Sequence, residues 1–255
     1  MTRAPWWENT WSTVRLVTAA LIAAAVIAQA QVTFSLAADA GRDMTTTVVN
    51  FFSFFTILSN VASIFVLAWA SLWLWMRGRD AAGRPAREPV PLAVALACVS
   101  TYMIVTGIVY NTLLRSVELP QGTTVPWSNE VLHVVGPLVL LLDVFLGPRP
   151  RSLRWSAVWA VVAFPVVWVV YTLVRGPLTV NPVTGAEWWY PYPFLDPALQ
   201  DGYGGVAVYV VGIAALIALV GWFVVWVDRR RAVVGSTGAT TETVTAPSKN
   251  APVSR

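Results

Sequence analysis

One threonine and the only histidine of the chain are the side chains whose types suit nucleophilic chemistry. Thr56 lies in an aromatic stretch, and His133 is the single histidine among 255 residues. A hydroxyl becomes a useful nucleophile when a base takes its proton during attack, and histidine is the usual base at neutral pH. The two residues therefore predict a nucleophile and its base, if the fold brings them together. The alternative for Thr56 is packing, because small hydroxyl residues line many helix contacts in membranes.

The composition is that of an integral membrane protein. The chain is 56% hydrophobic and 12% charged, whereas soluble domains carry roughly 25% charged residues. The net charge of +4 comes from arginines between apolar runs, where they set topology, so nucleic acid is not an expected partner. A single cysteine and a single histidine exclude an intrachain disulfide, a thiolate metal site and paired-histidine haem ligation. We expect no metal and no cofactor.

Apolar runs of about 20 residues, the length that crosses a bilayer, predict an all-α, polytopic bundle of six transmembrane helices. The predicted spans are 13–37, 47–76, 90–114, 128–146, 155–174 and 203–227. The domain division is an N-terminal segment at 1–12, a transmembrane domain at 13–231, and a tail at 232–255 whose Thr, Ser, Ala and Pro content predicts disorder. Small residues at 28–30 resemble a signal-peptidase site, but the apolar run continues to Leu36 and favours an uncleaved span.

Arginines alternate along the loops and predict the orientation. The loops at 77–89 and 147–153 and the start of the tail are rich in arginine, whereas the loops at 38–46, 115–127 and 175–202 hold few. Because positively charged loops stay inside the cell, we expect both termini to be cytoplasmic in a multi-pass protein of the plasma membrane.

This topology places Thr56 and His133 at one level of the bilayer. Both spans enter from the outside, with Thr56 about nine and His133 about five residues in, which is roughly 8–14 Å at 1.5 Å per residue. Pro137 follows His133 by four positions and lacks the N–H that would bond the carbonyl of residue 133. We expect a kink there that leaves this carbonyl free for a ligand, water or neighbour.

A polar stripe on the second span predicts a protein-facing surface around Thr56. The polar residues recur at three- and four-residue steps, which is one face of a helix that must avoid lipid: Asn50, Ser53, Thr56, Asn60 and Ser63. The expected supporting residues at the same level are Asn60, Asn111, Tyr110 and Asn129. Asn60 or Asn111 would stabilise an oxyanion, because amides inside a helix are already bonded. The alternative for each is an interhelical hydrogen bond.

Two acidic residues on the fourth span have other expected roles. Glu130 either orients His133 as the acid of a triad or complements the start of the helix dipole, and the second is favoured. Asp143 lies too deep to help His133 and is expected to pair with Arg149 or Arg151.

The longest loop carries an aromatic, proline-rich stretch at 188–197 that we call the lid segment. It lies on the same predicted side as Thr56 and His133, so it is expected to cover the polar cluster. Its candidate substrate-contacting residues are Trp189, Tyr190, Tyr192 and Phe194.

Four motifs give the chain a resemblance to a known family: FFTILSN at 54–60, VTGIVYN at 105–111, LHVVGP at 132–137 followed by Asp143, and YPYPFLD at 190–196. On these motifs the chain resembles the androgen-induced, six-span membrane proteins of animals and their bacterial relatives, over about residues 12–230. The animal members are threonine hydrolases that cleave fatty-acid esters of hydroxy fatty acids with an intramembrane threonine and histidine. The resemblance implies that Thr56 and His133 hold those roles, and that the partners are membrane lipids and a lipophilic ester.

Three functions are consistent with the sequence. The first is an intramembrane hydrolase of lipid esters that uses a threonine nucleophile and a histidine base. The second is a non-catalytic helix bundle that binds or transports a lipid or small solute. The third is a structural or partner-binding subunit.

Overall fold

The computed structural model describes residues 5–79, 83–117, 124–151 and 153–244, with the backbone alone described for Pro5 and 234–244. Over this part of the chain the fold is helical and contains no strand. The α-helices are α1 Pro5–Asp39, α2 Met44–Phe51, α3 Phe55–Arg77, α4 Val90–Val109, α5 Pro126–Glu130, α6 Gly136–Leu146, α7 Ala157–Arg175 and α8 Tyr203–Val244. Two π-helical turns, Tyr110–Leu114 and Val131–Val135, extend α4 and join α5 to α6.

Six of the helical segments are long and apolar enough to cross a membrane: Trp6–Asp39, Phe55–Arg77, Val90–Leu114, Pro126–Leu146, Ala157–Leu178 and Tyr203–Val233. The protein is therefore an all-α, multi-pass membrane protein, as the sequence predicted. The span of α4 is 67% buried, whereas the other five are 22–44% buried. Accordingly α4 is the central helix, and it packs against α3, α6, α7 and α8.

The second predicted span is two helices and not one. The structure ends α2 at Phe51 and begins α3 at Phe55. The Ser53 carbonyl between them accepts a hydrogen bond from the Trp168 indole at 2.9 Å. The prediction of one continuous polar face across residues 50–63 was therefore wrong, and Thr56 lies in the first turn of α3. Its backbone N–H has no partner within the helix, because the first four amides of a helix lack one.

Two prolines inside spans release carbonyls that are then bound by side chains of α4 and of the π-helical turn that extends it. The π-helical turn before Pro137 frees the His133 carbonyl, which accepts a hydrogen bond from Asn111 Nδ2 at 3.2 Å. The Val161 carbonyl, four residues before Pro165, accepts one from the Tyr102 hydroxyl at 3.0 Å. The expectation that the His133 carbonyl is open to a neighbour is confirmed.

The ends of the outermost helices extend beyond the predicted spans. The structure gives α1 as helical from Pro5 and through residues 28–30, and α8 as helical to Val244. Helix α8 therefore continues into the segment predicted to be disordered. Residues 1–4 and 245–255 of the predicted terminal segments, and 118–123 of the third loop, lie outside the described residues.

A buried ionic cluster holds the helix ends at the opposite end of the bundle from Thr56. Asp143 on α6 accepts from Arg15 at 2.7 Å and from Arg151 at 2.6 Å, and all three side chains are at most 2% exposed. The predicted pairing of Asp143 with Arg151 is confirmed, whereas Arg149 pairs with Glu8 at 2.6 Å. Burial lowers the pKa of Arg151, but the carboxylates of Asp228, Asp143 and Glu88 outweigh it and raise that pKa above its ordinary value.

Candidate active site

Thr56 and His133 are within hydrogen-bonding reach of each other. The distance from Thr56 Oγ1 to His133 Nε2 is 3.4 Å. Thr56 belongs to the first turn of α3, and His133 belongs to the π-helical turn between α5 and α6. The second and fourth predicted spans therefore meet at these residues, and Asn60 Nδ2 adds a contact to the Leu132 carbonyl at 3.3 Å.

The other nitrogen of His133 fixes which ring atom carries the proton. His133 Nδ1 lies 2.9 Å from the Asn129 carbonyl. A carbonyl only accepts, so in a neutral imidazole Nδ1 carries the hydrogen and Nε2 presents its lone pair to Thr56. The Tyr110 ring stacks on the imidazole at 3.9 Å between centroids and 23° between planes. Tyr110 is held in turn by a hydrogen bond from Asn129 Nδ2 to its hydroxyl. Tyr110 and Asn129, two of the four predicted supporting residues, therefore orient the histidine.

Tyr192 of the lid segment reaches the same threonine. Its hydroxyl lies 3.2 Å from Thr56 Oγ1 and accepts the Thr56 backbone N–H at 3.1 Å. Burial raises the pKa of Tyr192, so the phenol stays protonated at neutral pH. If the Thr56 hydroxyl donates to His133 Nε2, Tyr192 is left to donate to Thr56 Oγ1. The result is a directed chain of hydrogen bonds from the phenol through the threonine to the imidazole.

The lid segment packs into the end of the bundle. Tyr192 contacts Phe54 edge-on at 5.5 Å between ring centroids and stacks on Phe194 at 5.1 Å. Trp189 contacts Phe54 at 5.7 Å. Tyr190 lies against Gly176, where an added Cβ would come within 2.1 Å of its ring. These aromatic contacts position the Tyr192 hydroxyl at the start of α3.

Asn60 and Asn111 support the helices and do not point to Thr56 Oγ1. Asn60 Nδ2 donates to the Thr56 carbonyl at 2.9 Å as well as to that of Leu132. Asn111 Nδ2 donates to Gly107 at 2.8 Å as well as to His133. Both amide groups thus donate to helix carbonyls, so the alternative expected for each, an interhelical hydrogen bond, is confirmed. The donors beside Thr56 Oγ1 are the Thr56 backbone amide and the Tyr192 hydroxyl.

Glu130 pairs with an arginine, and a backbone carbonyl instead bonds His133. Glu130 accepts from Arg115 at 2.5 Å, and both side chains are nearly half exposed. The pair lies at the surface, so a triad acid is not what orients His133 through Nδ1. The orienting group is the Asn129 carbonyl.

Two cavities meet at Thr56. The first, of about 780 Å³ including its open part, lies between α4, α7, α8 and the lid segment, and we call it the apolar chamber. Its walls are mostly Val, Ile, Phe and Leu, with Val105, Val166, Phe194, Val210 and Ile213 among them. The second, of about 610 Å³, is lined by Gln29, Thr33, Phe51, Thr124, Asn129 and His133, and we call it the histidine chamber. Thr56, Tyr110, Leu114 and Tyr192 line both.

Sequence reasoning missed three features of this site. The Thr56 amide can donate to the Tyr192 hydroxyl only because the helix breaks before it. Gln29 and Thr33 reach the histidine chamber from α1, which carried no expected site residue. Tyr192 was expected as a cover and not as a direct hydrogen-bond partner of Thr56. The YPYP motif was the available signal for Tyr192, whereas no local pattern marks the break.

Comparison of the chain with family profiles, with characterised proteins and with solved structures found no significant match. The chemistry must therefore be argued from the site itself. Over the described residues, no three histidine, cysteine or acidic side chains lie together in a way that would hold a metal ion. The groups that the site offers are a hydroxyl, an imidazole, a phenol and a backbone amide.

Proposed function

We propose that this protein is an intramembrane hydrolase of lipid esters, with Thr56 as the nucleophile and His133 as the general base. The observation that carries the proposal is the 3.4 Å approach of Thr56 Oγ1 to His133 Nε2, the nitrogen that the Asn129 contact leaves unprotonated. A hydroxyl beside an oriented base is the arrangement that nucleophilic catalysis requires.

In the proposed reaction Thr56 Oγ1 attacks the ester carbonyl carbon while His133 Nε2 takes the hydroxyl proton. The tetrahedral intermediate then collapses, the bond to the alcohol oxygen breaks, and His133 gives the proton to the leaving alkoxide. Water attacks the acyl-threonine with His133 again as base, which releases the fatty acid and restores Thr56. The donors for the oxyanion are the Thr56 amide at the start of α3, which would exchange its bond to the Tyr192 hydroxyl for one to the oxyanion, and the Tyr192 phenol. The positive end of the helix dipole adds to them.

The site is proposed to open towards the outer leaflet of the plasma membrane. The support for this is the distribution of arginines, which cluster in the loops at 77–89 and 147–153 at the far end of the bundle from Thr56. A lipophilic substrate would then enter from the membrane, and the lid segment would lie at the extracytoplasmic surface. The competing function, lipid binding without catalysis, is favoured only by the volume of the apolar chamber.

Covalent labelling distinguishes these two functions. Fluorophosphonate probes react with activated hydroxyls, so the purified wild-type protein is expected to be labelled at Thr56, and Thr56→Ala and His133→Ala are expected to be unlabelled. Thr101→Ala is the matched control, because Thr101 is buried on α4 and its hydroxyl donates to the Ala97 carbonyl of the same helix. Equal labelling of all four proteins, or none of the wild type, would refute the hydrolase.

The Tyr192→Phe variant is expected to lower kcat for ester hydrolysis by about 10²–10³-fold, the usual effect of removing one oxyanion donor. The ring and its packing on Phe54 and Phe194 are retained, so the loss isolates the hydroxyl. Tyr190→Phe removes a hydroxyl from the same segment that contacts Tyr203 at 3.3 Å, and it is expected to keep nearly the full rate. Equal rates for the two variants would show that the Tyr192 hydroxyl serves only to close the segment over the bundle.

A further inference from the structure

The apolar chamber reaches the surface of the bundle between α7 and α8. Val166 of α7 and Ala214 of α8 both line the chamber. Both are also exposed on the bundle, Val166 to 48%. A side chain that faces a cavity and the surrounding medium at once lies at the edge of an opening. The chamber therefore opens sideways, through a gap between these two helices.

A row of aromatic rings closes this gap at the end of the bundle that holds Thr56. The Trp168 ring of α7 lies 6.1 Å from that of Tyr192, between centroids. Tyr192 stacks on Phe194 at 5.1 Å, and Phe194 stacks on Tyr209 of α8 at 6.0 Å. The lid segment thus joins the two helices and forms the upper edge of the gap.

Close helix packing closes the gap at its other end. A Cβ added to Gly221 of α8 would lie 2.9 Å from Val161 Cγ1 of α7. Between the two closures the gap extends about 10 Å along α7, up to Trp168, and about 18 Å along α8, up to Tyr209, at 1.5 Å per residue. A gap of this length admits a hydrocarbon chain.

The surface around the gap is hydrocarbon. Val167 on α7 and Val211 on α8 are largely exposed beside it. No charged residue occurs at 157–174 or 203–227, and both stretches belong to helices that are long and apolar enough to cross a membrane. The gap therefore faces lipid chains, and a chain that passes through it stays in apolar surroundings throughout.

We propose that the gap between α7 and α8 is a lateral portal, through which one hydrocarbon chain of a membrane lipid passes from the bilayer into the apolar chamber. This inference goes beyond ester hydrolysis and rests on the proposed function only in taking the chain to belong to the substrate. Thr56 lines the same chamber, so the chain brings the group that it carries to the hydroxyl. Tyr192 of the upper edge lies 3.2 Å from that hydroxyl. The competing path leads into the chamber from the end of the bundle, past the lid segment.

A covalent bridge across the gap tests the portal on the full-length protein in phosphatidylcholine nanodiscs. In a Cys98→Ser background, which removes the single cysteine, Val166→Cys and Ala214→Cys are joined by a short bismaleimide. Bridging is expected to slow the labelling of Thr56 by hexadecyl fluorophosphonate at least about tenfold, because the alkyl chain can no longer pass between the helices. Labelling by ethyl fluorophosphonate, which has no long chain to place, is expected to be unchanged.

The control for the bridge is the same pair of cysteines without the bismaleimide. Equal effects of the bridge on the two probes, whether none or large, would contradict the portal, since a portal acts on the long chain alone. Failure of the two cysteines to be bridged would contradict it as well, because the two edges would then not face one gap.

A substitution narrows the same gap without a cross-link. Val166→Trp is expected to slow labelling by the hexadecyl probe and to spare labelling by the ethyl probe. Val167→Trp is the matched control, because Val167 is the next residue of α7, is exposed, and is not among the residues that line the chamber. Equal slowing of the hexadecyl probe by both substitutions would contradict the portal.

A measurement that needs no catalysis separates failure of the portal from failure of the hydrolase. Palmitic acid with a photoreactive diazirine at the end of its chain is placed in the nanodiscs, and mass spectrometry measures its adducts on Val105, which is buried in the chamber wall. Adducts are expected in the unbridged pair and not in the bridged pair. If this result holds but neither probe labels Thr56 in the wild-type protein, only the hydrolase is overturned. If Thr56 is labelled but the adducts are absent from both proteins or equal in both, only the portal is overturned.

Discussion

The Thr56→Ala and His133→Ala variants are each expected to lower kcat for hydrolysis of a long-chain fatty acyl ester by about 10⁴–10⁶-fold, and the double variant is expected to be no slower than either. The physical reason is that the two side chains act as one unit. Without the hydroxyl the base has no proton to take, and without the base the hydroxyl is a weak nucleophile. The residual rate would come from the oxyanion donors and from binding, which both substitutions leave in place.

The measurement is single-turnover hydrolysis by the four proteins of the double-mutant cycle, with circular dichroism to verify the helical fold. Thr56→Ser keeps the hydroxyl and is expected to keep much of the rate, which separates loss of the nucleophile from loss of packing. If the rate loss of the double variant equals the product of the two single losses, Thr56 and His133 act independently. That result would contradict the roles proposed for the pair, whatever the size of the single effects.

The Asp143→Asn variant is expected to lose about 3–5 kcal/mol of stability, as when one partner of a buried ion pair is removed. Asp143 is 1% exposed and faces both Arg15 and Arg151. The substitution keeps the shape of the side chain and removes the carboxylate that pairs with the buried Arg15, whereas Arg151 keeps Glu88 and Asp228. Adding Arg15→Gln is expected to recover part of the loss, because it removes the buried cation that lost its partner. Tryptophan fluorescence during denaturant unfolding in mixed micelles measures all three proteins.

Glu130→Gln is the control for this prediction. It makes the same change of charge in an ion pair with Arg115, but the two side chains are 49% and 46% exposed. Water replaces the lost partner, so the expected loss is no more than about 1 kcal/mol. Comparable losses of unfolding free energy in Asp143→Asn and Glu130→Gln would mean that the buried cluster does not stabilise the bundle. The burial of its charges would then have no energetic role.

The tertiary structure links the two ends of the bundle through α6. The π-helical turn before Pro137 places His133 at one end, and Asp143 anchors the other end of the same span between Arg15 and Arg151. Gly107 on α4 permits close packing there, since a Cβ would lie 2.9 Å from Pro137 and 3.3 Å from the His133 carbonyl. The position of His133 is therefore fixed by packing on α4 as much as by the local turn.

By itself, the sequence determined the six spans, the pair of reactive residue types and the irregular backbone at His133. These follow from local physics: the length of apolar runs, the chemistry of a hydroxyl and an imidazole, and the missing N–H of Pro137. Only the tertiary structure decided the break before Phe55. The apolar stretch FFSFF predicts a continuous helix. At the break, the Trp168 indole binds the Ser53 carbonyl and the Tyr192 hydroxyl binds the Thr56 amide. These partners are 115 and 136 residues apart in the chain. The bond of the Thr56 amide to Tyr192, the two chambers and the pairing of Arg15 with Asp143 arise in the same way, because each depends on side chains that only folding brings together.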